Sequence, residues 1–147
     1  MPEITKIVVG IGDDKATAGA LAVALELAAE EEAELVLAHV IPIAGEQLLP
    51  AHDAPTRAVG NTKTPELLEA GIVAERAGIP HTLELLIGYA PRELGLLAED
   101  VGASLIVVGS RHPTVLKPAF LGSTSRHLLN RVSCPVLVVP ERVAVAA

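Results

Sequence analysis

The sequence predicts an α/β fold, a doubly wound five-stranded parallel sheet with helices on both faces, and three observations lead there. Five short aliphatic runs occur: Lys6–Ile11, Leu35–Ile41, His81–Ile87, Leu105–Val108 and Val136–Val139. Leu105–Val108 and Val136–Val139 lack polar alternation, the pattern of strands covered on both faces. The runs alternate with four helical segments, and such alternation implies parallel strands joined by right-handed crossovers.

Lys6–Ile11 leads into the turn Gly12-Asp13-Asp14, where either aspartate is suited to cap the following helix. Ala18, Leu21, Ala22, Leu25, Ala28 and Ala29 then keep helical spacing, with small side chains suited to close packing on a sheet. Glu30, Glu31, Glu32 and Glu34 crowd the end of that helix, against the macrodipole, and read as solvated surface. His39 in the second strand reads as a core or strand-edge histidine. Pro42 to Lys63 is a long connection carrying two glycines and three prolines, and a structureless loop of that length is uncommon in a compact domain. Its His52-Asp53 pair has no partner at metal-ligand spacing.

Thr64-Pro65 opens the second helix with a hydroxyl cap and proline at the first helical position, and the helix runs to about Ala77. The third helix follows Gly88-Tyr89-Ala90-Pro91. It places Leu94, Leu97, Ala98 and Val101 on one face and stops at Gly102. The fourth begins after Gly122-Ser123-Thr124-Ser125. Unpaired N–H groups and the positive dipole end at such a start suit an anion, often phosphate.

Charge agrees with that placement. From Ala103 to Pro140 the segment carries Arg111, Lys117, Arg126 and Arg131 and no acidic residue, so all 18 Asp and Glu lie elsewhere. The chain of 147 residues has a net charge of −7, which argues against nucleic acid and anionic membrane surfaces as partners. One Phe, one Tyr and no Trp leave almost no base-stacking platform. The length suits one domain, 1–147. No apolar run reaches the ~20 residues of a membrane span, and the first ten residues do not read as a secretory signal. Cys134 alone forms no internal disulfide, in keeping with a reducing cytoplasm, and reads as a buried structural thiol. No catalytic triad, metal cluster or carboxylate pair stands out, so an enzyme is not the leading reading.

In a doubly wound sheet the ligand crevice lies at the carboxyl ends of strands, where strand order reverses. With order 3-2-1-4-5 the reversal falls between strands one and four. Gly10–Lys15 and Gly109–His112 converge there, with the Gly122–Ser125 helix start nearby.

KIVVGIGDDKATAGALAVALELA, ELVLAHVI, GYAPRELGLLAEDVGASLIVVGSR and GSTSRHLLNRVSCPVLVVP together resemble a universal stress protein domain over essentially the whole chain. The resemblance implies the 3-2-1-4-5 sheet and an adenine-nucleotide (ATP or AMP) site, with Mg²⁺ accompanying ATP. It also implies a stress-response regulatory role in the cytoplasm. Homodimers are implied too, the edge strand Val136–Val139 pairing with its mate across a two-fold axis. By matching positions, Ile11, Gly12 and Val40 line the adenine side, and Gly109 and Arg111 lie under ribose and phosphate. Gly122, Ser123, Thr124 and Ser125 hold the phosphates. The chain departs from the family pattern twice. His112 stands where a loop glycine belongs, and Gly12 replaces an aspartate that Asp13 follows one place later. The alternative implied is a dimeric interaction module of the same family with a degenerate nucleotide site.

Overall fold

The computed structural model describes residues 3–12, 16–43, 52–110 and 132–141. Five strands, β1 (Lys6–Gly10), β2 (Glu34–Ile41), β3 (His81–Ile87), β4 (Leu105–Ser110) and β5 (Val136–Pro140), form one sheet in the order β3-β2-β1-β4-β5. Every strand pair is parallel, with Val9 opposite Leu37 on one side and Val107 on the other. The five-stranded doubly wound sheet is therefore present, in the expected order. Three helices are described, α1 (Ala16–Glu31), α2 (Pro65–Arg76) and α3 (Ala90–Val101). The fourth expected helix lies outside the described residues, as do Asp13 and Asp14, expected to cap α1.

The two-residue period of the strands divides the core between the two faces. Ile7, Val9, Leu35, Leu37, Leu105 and Val107 belong to one cluster with Ala20, Ala24 and Ala28 of α1 and Leu67, Ala70 and Ala74 of α2. Val8, Val36, Ala38, Ile106 and Val108 belong to the other, with Leu94, Leu97 and Ala98 of α3. Leu105–Val108 is buried throughout, as its lack of alternation predicts, whereas in Val136–Val139 only Val139 is buried and Leu137 is exposed, because β5 is an edge strand. The sheet-facing stripe of α1 is not the expected one: Ala16, Gly19, Ala20, Leu21, Ala24 and Ala28 are buried, Ala18, Ala22 and Ala29 are exposed, and the small buried side chains let the helix backbone come close to the sheet.

Local signals act as the sequence predicts. The Thr64 hydroxyl accepts from the Leu67 N–H at 3.4 Å, and Pro65 stands in the first turn of α2. His39 Nδ1 lies 2.7 Å from the same hydroxyl, so this strand histidine ties β2 to the start of α2. Gly102 takes the left-handed conformation, φ 69°, that closes α3. At the end of α1 the acidic run holds a backbone surprise: Glu32 has φ 56°, a conformation that usually favours glycine. Glu30, Glu31 and Glu32 are exposed, and Glu34 meets Lys6 at 3.2 Å.

The long connection is not structureless where it is described. Ala58 donates to the Leu85 carbonyl at 2.8 Å and Ile87 to the Thr56 carbonyl at 2.9 Å, with Arg57 bridged antiparallel to Leu86. The segment covers the outer edge of β3, which would otherwise present unpaired backbone groups. Cys134 is half-buried against the α3-side core, and desolvation pushes its thiol upward. Its thiolate fraction at neutral pH is reduced accordingly, and alkylation by iodoacetamide is expected to be slower than for a free cysteine and to rise with pH. Replacing Thr64 by alanine removes both the cap and the partner of His39. A loss of about 0.5–2 kcal/mol in urea unfolding is expected.

Candidate functional site

The order β2-β1-β4 places the reversal of winding at the carboxyl end of β1, where the chain turns to one side for β2 and to the other for β4. Three of the residues singled out from sequence converge there. Ile11 is buried and its N–H donates to the Ala38 carbonyl at 2.7 Å, carrying the β1–β2 ladder one residue past the strand. Gly12 follows it, half-buried. Gly109 lies two residues beyond Val107, the partner of Val9, and so stands level with Ile11 across the reversal. Val40 is farther along β2, opposite Leu86, and packs with the α3-side core. Asp13, Arg111, His112, Gly122, Ser123, Thr124 and Ser125 lie outside the described residues.

Gly109 has a packing reason to be glycine. A Cβ there would lie 2.5 Å from the Ala16 carbonyl oxygen and 2.8 Å from the Ala16 Cβ, so the first residue of α1 rests directly on the β4 backbone. That contact directs the N-terminus of α1 at the crevice. The turn between β1 and α1 is held from inside, because the Gly12 N–H donates to the Thr17 hydroxyl at 2.8 Å. This amide therefore serves the turn, and Thr17 is a residue of the site that sequence reading missed. A hydroxyl five residues after the glycine was its only signal. Ile11 packs with the core on the α1–α2 side of the sheet and Val40 with the core on the α3 side, so the two expected base contacts fall on opposite faces.

A second missed residue is Glu93, in the first turn of α3, with no exposed surface. Its Oε1 accepts from the Thr56 N–H at 2.6 Å. Its Oε2 lies 2.6 Å from His52 Nε2 and accepts from the Thr56 hydroxyl at 3.3 Å. His52 thus acquires a carboxylate partner, but the partner is distant Glu93, not neighbouring Asp53. Among the described residues no three His, Cys, Asp or Glu side chains gather as a metal site. Nearby, Arg57 donates to Asp100 at 2.8 Å and to Glu84 at 3.0 Å, and these bonds raise its pKa further. Together these contacts fasten the connection to β3 and α3.

The fold and this arrangement can be set beside known proteins. A profile of the universal stress protein family matches residues 3–140. The chain belongs to that family. It is 33% identical over 144 residues to universal stress protein YxiE of Bacillus subtilis (strain 168), covering 91% of this chain and 97% of that one. Among solved structures it resembles a universal stress protein in complex with cAMP, at TM-score 0.70 and 25% identity, over 95% of this chain and 99% of that one. It also resembles the universal stress protein from Archaeoglobus fulgidus in complex with dAMP, at TM-score 0.65 and 21% identity, over 94% and 99%. The second likeness speaks to the fold. Among the described residues no helix is long and apolar enough to cross a membrane.

Two substitutions separate scaffold from connection. Gly109→Ala drives a methyl into the Ala16 backbone and is expected to lower stability by roughly 1–3 kcal/mol in chemical denaturation. Glu93→Ala removes the buried carboxylate that accepts from the Thr56 N–H and faces His52. It is expected to cost about 1–3 kcal/mol and to speed amide exchange at Ala58 and Ile87 ahead of the β1 amides.

Proposed function

We propose that this universal stress protein binds an adenine nucleotide, AMP or ATP, in the crevice at the carboxyl ends of β1 and β4. We infer that it acts as a homodimeric regulatory protein of the stress response in the cytoplasm. The observation that carries the reading is the meeting of Ile11, Gly12 and Gly109 where the sheet reverses, with the start of α1 packed against them. A related protein of 25% identity binds cAMP and a more distant one dAMP, ligands that share an adenine nucleoside and a phosphate.

In this reading Ile11 and Gly12 contact the base. Gly109 and Arg111 lie beneath ribose and phosphate, and Asp13 and His112 border the site. Gly122, Ser123, Thr124 and Ser125 hold the phosphates, with Mg²⁺ accompanying ATP. The dimer forms through β5, an edge strand whose Leu137 is 36% exposed and whose outer backbone has no neighbour among the described residues.

A second reading has a specific basis. The Gly12 N–H is already given to Thr17, and His112 occupies a motif glycine position, so the crevice is degenerate and the dimer serves only to present a surface. Isothermal titration with ATP, ADP, AMP and cAMP, on protein stripped of ligand by acid extraction, distinguishes the two. Saturable heat with at least one nucleotide supports the first. Absence of heat in the parent protein, with heat appearing in His112→Gly, establishes the second.

A further inference from the structure

On the face of the sheet that carries both α1 and α2, the two helices leave an open groove between them of about 590 Å³. Thr17, Ala18 and Leu21 of α1 form one wall. The other comes from α2, where Glu66, Glu69, Ala70, Val73 and Arg76 recur at three- and four-residue spacing on one stripe, with Ile72 beside it. The floor opens at one end onto Ile11 and Gly12.

Of the α2 residues that line the groove, Ile72 and Val73 are 51% and 44% exposed. Apolar side chains left exposed in a groove with a charged rim mark an interaction surface. Its rim is charged in a fixed order. Parallel strands with crossover helices put the N-terminus of α2 at the crevice end, so Glu66 and Glu69 border that end and Arg76 the opposite one. None of the three forms an ion pair among the described residues.

We propose that this groove docks an amphipathic helix of a partner protein. Its apolar face lies on Leu21, Ile72 and Val73, its basic end over Glu66 and Glu69, and its acidic end over Arg76. A helix suits the site better than an added strand, because both walls are helices with no open backbone edge between them. From Glu66 to Arg76 the stripe is about 15 Å long, matched by three turns of a docked helix. Since the groove starts at Ile11 and Gly12, the docked helix abuts the crevice, although its binding does not depend on any nucleotide being there.

The test uses two fluorescein-labelled synthetic helices of about 14 residues, each roughly 21 Å long. Both carry leucines at i, i+3, i+4 and i+7. One has lysines at one end and glutamates at the other, and the second has lysines at both ends. Anisotropy titrations with the full chain are expected to favour the two-signed peptide about tenfold, a difference of ~1.4 kcal/mol. Arg76→Glu is expected to reverse that preference, and Ile72→Asp to weaken both peptides about tenfold, with circular dichroism unchanged because both positions are exposed. Equal affinity of the two peptides for the parent chain overturns the proposal. So does binding insensitive to Ile72→Asp, or no binding of either peptide at millimolar protein.

Discussion

The approach of Ala16 to the β4 backbone at Gly109 is the contact on which the rest of the molecule depends. A sheet buried on both faces can seat a helix this close only where no Cβ intervenes, and Gly109 supplies that gap. With the start of α1 fixed there, the turn after β1 is short, and the Thr17 hydroxyl reaches back to the Gly12 N–H to hold it. The carboxyl ends of β1 and β4 then face a space bordered by a helix N-terminus. The small side chains along the buried side of α1 follow from the same constraint, since bulkier ones would lift the helix off the sheet.

Fixation of the long connection is a separate matter, decided by Glu93. A buried carboxylate is costly unless its oxygens are satisfied, and here both are satisfied by residues 52–56. The connection therefore docks as a unit, with Arg57 joining it to β3 and α3 and its backbone covering the β3 edge. Only the β5 side of the sheet then has an open edge among the described residues. That asymmetry gives the proposed dimer a place to form, and it leaves the α1–α2 groove on a different surface.

Much of the fold was legible because it is local. Aliphatic runs mark the strands, Thr64-Pro65 starts α2, and Gly102 ends α3, each through the conformation or hydrogen bond that its residue type allows. The site was legible only in part. Ile11, Gly12 and Gly109 followed from strand ends and topology, but the packing role of Gly109 against Ala16 depends on a contact no spacing reveals. Glu93 was missed because its partner His52 is 41 residues away. The available signal was a charged residue on the same stripe of α3 as Leu94, Leu97 and Ala98. The groove was hidden for a similar reason, since Ile72 and Val73 read as ordinary helix positions until the neighbouring helix was placed beside them.

The central claim is that a ligand-binding crevice lies at the carboxyl ends of β1 and β4. Amide chemical-shift mapping of the ¹⁵N-labelled protein during titration with AMP tests it most directly. Saturable shifts centred on Ile11, Gly12, Gly109 and Ser110, with the amino ends of the same strands at Lys6 and Leu105 undisturbed, are what the account predicts. Saturable shifts centred away from those four residues, or a spectrum unmoved at millimolar AMP, would contradict it.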